Sequence, residues 1–213
     1  WSTDQAARVL ILLSSGDEGL GFSGRLEQLC QTADVRELIA LYQGLPLYPG
    51  QELFVDRARE GLRTNMKAVF EAVAHDNPYP FEQFSTAVWN QMVLKAIFVE
   101  SPLHPIHGLD RRRNEDLART LVDYAHERWA AGRTITPELW RPVAPFMEDA
   151  IVTELQEPFS TAEGAERQAM ALALHEAGGA HAHALLESVP DLVRDIEADR
   201  ISWETVSQDM KKP

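Results

Sequence analysis

Lys95 sits in a setting that needs explaining. The stretch Trp89-Asn90-Gln91-Met92-Val93-Leu94-Lys95-Ala96-Ile97-Phe98-Val99 is apolar nearly all round when wound as a helix, and such a helix is normally buried. An ammonium buried without a partner is so costly that it finds one, neutralises or faces a wet cavity. Asn90 and Gln91 lie on the same side as Lys95. The plainer alternative is an internal salt bridge from Lys95 to Glu71, Asp123 or Glu127.

Two other segments offer polar groups for the same purpose. From about Glu52 to Ala74, the residues Phe54, Ala58, Leu62, Met66, Val69 and Val73 form a continuous apolar stripe, the core face of one predicted helix. Arg63, Lys67 and Glu71 follow at i, i+4 positions, with Asn65 beside them; taken alone they read as a solvated, salt-bridged face. Gly61 weakens a helix by roughly 1 kcal/mol relative to alanine, which points to a close neighbour there, backbone or ligand. In a third predicted helix, about Asn114 to Ala131, Leu117, Leu121, Ala125 and Trp129 face inward. His126 of that helix could move protons near neutral pH, or be a packed or exposed polar residue. If the three helices adjoin, Arg63, Asn65, Lys67, Asn90, Gln91, Lys95 and His126 gather donors and positive charge, and predict a pocket for a small polar, anionic or polyhydroxylated metabolite.

Other constellations carry less. His104, His107 and Asp110 supply nitrogen and oxygen atoms of the kind that bind zinc or iron, but in a Pro- and Gly-containing loop without HExxH or paired cysteines, so no metal is assigned. His175, His181 and His183 flank Gly178-Gly179 at a predicted helix junction. There is no GxSxG elbow, no phosphate-binding glycine loop and no nucleotide-binding βαβ pattern, which argues against common hydrolase, kinase and dehydrogenase chemistry and implies no cofactor. Cys30 follows Leu26 and Leu29 at helical spacing and reads as a small core residue.

Charge narrows the partners. Twenty Lys and Arg against 33 Asp and Glu give −13, which repels phosphate backbones and anionic headgroups, so neither nucleic acid nor a membrane surface is an expected partner. Arg111-Arg112-Arg113 lies beside Asp110, Glu115 and Asp116 and reads as a solvated turn. A single cysteine cannot close an internal disulfide, and the cytoplasm is the expected compartment. The apolar run Val9 to Leu13 is far short of the ~20 residues that span a bilayer, so no transmembrane segment is expected, and no signal-peptide pattern is visible. The chain opens at Trp1 without methionine, an opening that leaves room for residues upstream.

The elements that must position these residues are helices, since no segment shows sustained period-two alternation. Ser2 with Gln5, Asp34 with Glu37 and Ser160 with Glu163 match capping boxes, and Thr136-Pro137-Glu138 marks a further start. Breakers at Gly44 to Gly50, Asn77 to Pro80, Ser101 to Gly108, Gly132 to Pro137, Glu157-Pro158 and Val189-Pro190 cut the chain into a regular series. The expected fold is all-α: antiparallel helical hairpins, as a bundle or a HEAT-like α-α superhelix. With 45% hydrophobic residues, 1–213 can bury a core as a single all-helical domain or two closely packed halves, and 160–213 looks repeat-like without a clean period.

The central residues resemble a known family. Leu41-Tyr42-Gln43-Gly44-Leu45-Pro46-Leu47-Tyr48-Pro49, Glu60-Gly61-Leu62-Arg63-Thr64-Asn65-Met66-Lys67-Ala68-Val69-Phe70-Glu71-Ala72, Asn77-Pro78-Tyr79-Pro80, Trp89 to Ala96 and Asp123-Tyr124-Ala125-His126-Glu127-Arg128-Trp129 to Arg133 together resemble the EboA family of metabolite traffic proteins, mainly over Leu41 to Pro145. The resemblance implies a bacterial accessory protein from clusters that also encode a UbiA-like prenyltransferase and sugar- or cyclitol-type enzymes, associated with moving secondary-metabolite precursors out of the cytoplasm. It carries over no catalytic residues. The expected role is a non-catalytic metabolite-binding or scaffolding protein, with other proteins of the same cluster as further partners; the alternatives are an enzyme acting through Lys95 or His126 on a phosphorylated or cyclitol-like molecule, and a helical adaptor for another protein.

Overall fold

The structure, a computed structural model, describes residues 1–16 and 19–209. Among them are fifteen α-helices and no strand, and the one β-type pairing is an isolated bridge between His75 and Ile106. The protein is all-α. The chain forms two compact units: Trp1–Ser101 with Pro105–Gly108, and Pro102–His104 with Leu109–Pro213.

The first unit holds α1 (Thr3–Leu13), α2 (Gly19–Thr32), α3 (Val35–Gln43), α4 (Val55–Arg63), α5 (Lys67–Ala74), α6 (Tyr79–Gln83) and α7 (Thr86–Phe98), with 3-10 turns at Leu45–Leu47 and Gln51–Phe54. The capping boxes at Ser2 and Asp34 are formed as predicted, each side chain accepting from the residue three positions on. Helix α3 packs on α1 and α5, and α4 packs on α5. Phe22, Tyr48 and Phe54 cluster with ring centroids 5.1 to 6.0 Å apart. Cys30 is buried, and burial pushes its thiol up to about 11, so it is a core residue as expected. The Asn77-Pro78-Tyr79-Pro80 breaker is held from within: buried Asn77 donates Nδ2 to the Tyr42 and Ala72 carbonyls at 3.1 Å each and accepts from the Tyr79 amide at 3.0 Å.

Two long helices expected from the sequence are each divided. The helix expected over 52–74 ends at Arg63 and resumes at Lys67, because Thr64 is extended (φ −60, ψ 151). Thr64 Oγ1 accepts from the Met66 amide at 3.1 Å, a local hydrogen bond of the kind that competes with helix continuation. The helix expected over 81–99 is interrupted where Phe84 is extended and buried, and Ser85 then caps α7 by accepting from the Val88 amide. The apolar pattern ran through both breaks, since Met66 and Phe84 keep an apolar residue in phase.

The second unit holds α8 (Glu115–Ala130), α9 (Trp140–Val143), α10 (Asp149–Glu154), α11 (Gln156–Thr161), α12 (Gly164–Ala177), α13 (Gly179–Leu186), α14 (Pro190–Glu197) and α15 (Trp203–Asp209). Its axis is α12, buried continuously from Ala169 to Leu174 and packed by α9, α13, α14 and α15. Buried Glu138 ties this unit together, accepting from the Leu103 and His104 amides at 2.7 and 2.8 Å and from Ser207 Oγ at 2.5 Å. Two local expectations are corrected. Ser160 lies inside α11 and donates to the Glu157 carbonyl, so it forms no capping box with Glu163, which stands as the N-cap of α12 without a side-chain bond. The basic run is not a freely solvated turn either, for Arg113 pairs with Glu176 at 2.7 Å. Asp110 receives Arg141 through both oxygens, at 2.9 and 2.7 Å.

Gly61 shows why glycine is needed in α4. A Cβ there would stand 2.8 Å from the Tyr42 ring and 2.8 Å from Val73 Cγ2, so the close neighbours are side chains of α3 and α5. Gly61→Ala gains helix propensity but overpacks this contact, and a net loss of about 1–3 kcal/mol is expected. Urea unfolding checks it: the midpoint should fall at unchanged slope, and an unmoved midpoint would contradict the packing argument.

Candidate functional site

Lys95 answers for the break in the first expected helix. Its Nζ donates to the Leu62 carbonyl and, at 2.7 Å, to the Thr64 carbonyl. The last carbonyls of a helix have no partner within it and carry its partial negative charge, so the ammonium satisfies the end of α4. Its partners are therefore backbone oxygens, and not a carboxylate of Glu71, Asp123 or Glu127 as in the salt-bridge alternative. The Phe70 ring lies 5.5 Å from Nζ, and burial holds the Lys95 pKa below its ordinary value. An ammonium has three protons to donate; two are committed here.

Beside this clasp lies a cavity of about 340 Å³. Arg59, Arg63, Gln91 and Lys95 supply its polar lining and Leu62, Val88 and Met92 its apolar lining. Among the described residues no carboxylate lines it. The arginines are held loosely: Arg59 pairs with Asp56 at 3.1 Å and Arg63 with Glu60, both i, i+3 pairs with largely exposed carboxylates. Pairs of this kind contribute about 0–1 kcal/mol, so an incoming anion can displace them.

The residues named from the sequence thus fall into separate places. Arg63, Gln91 and Lys95 share the cavity, and Arg59, one turn before Arg63, joins them. Asn65 is exposed in the link between α4 and α5, and Asn90 is half-buried on α7. Lys67 donates to the Glu100 carbonyl at 2.7 Å and lies 4.0 Å from Glu71. His126 belongs to the second unit, where its Nε2 stands 3.0 Å from Glu154 Oε2.

A further constellation had no signal in the sequence. Buried Ser101 donates its hydroxyl to Glu71 Oε1 at 2.8 Å and sits 3.3 Å from His75 Nε2. The serine proton being given to Glu71, a bond between serine and histidine makes Nε2 the donor. His75 is fixed by its bridge to Ile106, and Asp76 next to it adopts φ +48 while its amide donates to the Pro105 carbonyl at 2.9 Å. Glu71, His75, Asp76 and Gln43 line a cavity of about 310 Å³. A non-glycine residue held at positive φ marks a place where surrounding structure enforces strain. Glu71 and Ser101 are 30 residues apart and meet only through tertiary folding.

A family model described as "Metabolite traffic protein EboA" matches residues 1–144. Nothing among curated proteins or solved structures matches the chain.

Replacing Lys95 by methionine keeps the apolar stem and removes the donors from the end of α4. Two carbonyls then lose their partner, and a loss of about 1–3 kcal/mol is expected. Hydrogen exchange should accelerate across 60–67 and leave α12 unchanged; unchanged protection over 60–67 would show that the clasp does not hold the helix end.

Proposed function

The chain belongs to the EboA family of metabolite traffic proteins, and on that premise we propose that it is a non-catalytic metabolite-binding or scaffolding protein in secondary-metabolite processing and export. The ligand is a small anionic or polyhydroxylated molecule held at the cavity of Arg59, Arg63, Gln91 and Lys95, with Asn65, Lys67 and Asn90 as its nearby polar surroundings. One observation carries the reading: in a chain of charge −13, three cations and an amide share a cavity that no carboxylate among the described residues lines. Anion binding needs donors fixed in place, and the clasp on Lys95 fixes one of them. Other proteins encoded with it would receive or deliver the ligand. A reducing compartment, the cytoplasm, suits the buried free thiol of Cys30.

A second reading is favoured by the Glu71–Ser101–His75 chain, whose order allows a proton to pass between imidazole and carboxylate through the hydroxyl. The protein would then be an enzyme acting on a phosphorylated or cyclitol-like molecule. Turnover that His75→Gln abolishes and Arg63→Gln spares would put this reading first.

Titration calorimetry with inorganic phosphate as probe tests the carrier reading. Saturable binding is expected, weakened about tenfold for each arginine lost in Arg59→Gln and Arg63→Gln, as fits a charge-assisted hydrogen bond. Native mass spectrometry of protein purified from its own host should also find a retained small molecule. A ligand-free protein whose phosphate response is absent, or is unaltered in both variants, would remove the reading.

A further inference from the structure

The second unit contains a larger cavity, of about 630 Å³, with the opposite charge. Trp129, at the end of α8, lines it and stacks on fully buried Trp140, centroids 5.8 Å apart and planes 25° apart. The His126 ring meets Trp129 edge-on at 5.5 Å and is itself held by Glu154 at 3.0 Å, so the indole is fixed from two sides. The remaining charged lining comes from Glu157, Glu166 and Arg133. Three glutamates against one arginine leave the lining net negative in either state of His126, −2 with a neutral ring and −1 with a protonated one.

Two of those carboxylates have no counter-ion among the described residues. Glu154 has His126, whereas no ion pair or hydrogen bond engages the side chain of Glu157 or Glu166 among the described residues. Glu166 is the more telling of the two, because it is partly buried and burial raises its pKa. A partly buried carboxylate that shares a cavity with an indole and has no cation paired to it is a site that a ligand cation would complete. A metal ion is a poor fit, since no three metal-ligating side chains converge among the described residues. A cation of diffuse charge suits the space better, for the face of an indole attracts it and the cavity admits its alkyl groups. Trp129 and His126 lie within the family match, while Glu154, Glu157 and Glu166 lie beyond residue 144.

We propose that this cavity binds a small organic ammonium ion, its head against the Trp129 indole that lines it and its charge met by Glu157 and Glu166. The site is independent of the anion cavity, and either can fail without the other. Choline serves as probe, titrated into the full chain at low salt and followed by NMR of the tryptophan indole protons, with its uncharged carbon isostere as control. Choline should bind saturably and shift the Trp129 signal, and the isostere should bind about tenfold more weakly, the difference a desolvated cation–π contact makes. Glu166→Gln should weaken choline binding several-fold. Glu157→Gln, at an exposed residue, should do the same without touching the core, which guards against a folding defect in the first variant. No saturable choline shift, equal binding of the isostere, or full affinity in both glutamine variants would overturn the proposal.

Discussion

The arrangement of the first unit turns on an ammonium placed against the end of a helix. Lys95 reaches from α7 to the carbonyls of Leu62 and Thr64, which α4 cannot satisfy by itself. The contact resolves two costs at once, a cation in an apolar segment and carbonyls at a partly buried helix end. It also sets the geometry around it. With α4 stopped at Arg63, Arg59 and Arg63 remain on its last turns facing the same cavity as Gln91 and Lys95, and α5 starts afresh at Lys67 to pack against α3 and α4. A structural contact and a cavity lining thus share one residue.

The two units offer contrasting chemistry. The cavity of the first is lined by guanidinium, ammonium and amide groups, and that of the second by carboxylates and an indole. For the proposed binding role, fixed charge of defined sign would provide selectivity, because a ligand of the wrong charge meets unpaired, desolvated groups. The hydroxyl-bridged Glu71–Ser101–His75 chain is built from a buried serine and a strained turn, and it gives the first unit a separate place where acid–base chemistry is geometrically available.

Much of this was legible in the sequence, and the exceptions have physical causes. Helical periodicity and the boxes at Ser2 and Asp34 gave the fold class and two helix starts, because both are local. The anomaly of Lys95 was visible as a charge in an apolar run, and Gly61 as a glycine in a helix. The partner of Lys95 was not, since backbone carbonyls are present at every residue and leave no trace in composition. The breaks at Thr64 and Phe84 were hidden because the residues on either side stay in phase with an apolar face. Ser160 and Glu163 had the right spacing for a cap but fell on either side of a helix end. Glu138, Ser101 and His75 acquire their roles across separations of 26 to 69 residues, which no local pattern encodes, and His126 was grouped with residues of the other unit because all of them were polar members of apolar helices.

The central claim, that one ammonium both ends α4 and faces an anion site, is tested most directly by nitrogen-detected NMR of the Lys95 side chain. The account predicts an ammonium signal sheltered from solvent exchange by its two carbonyl partners, and displaced when inorganic phosphate is added. An Lys95 signal that exchanges as fast as those of surface lysines and ignores phosphate would contradict it.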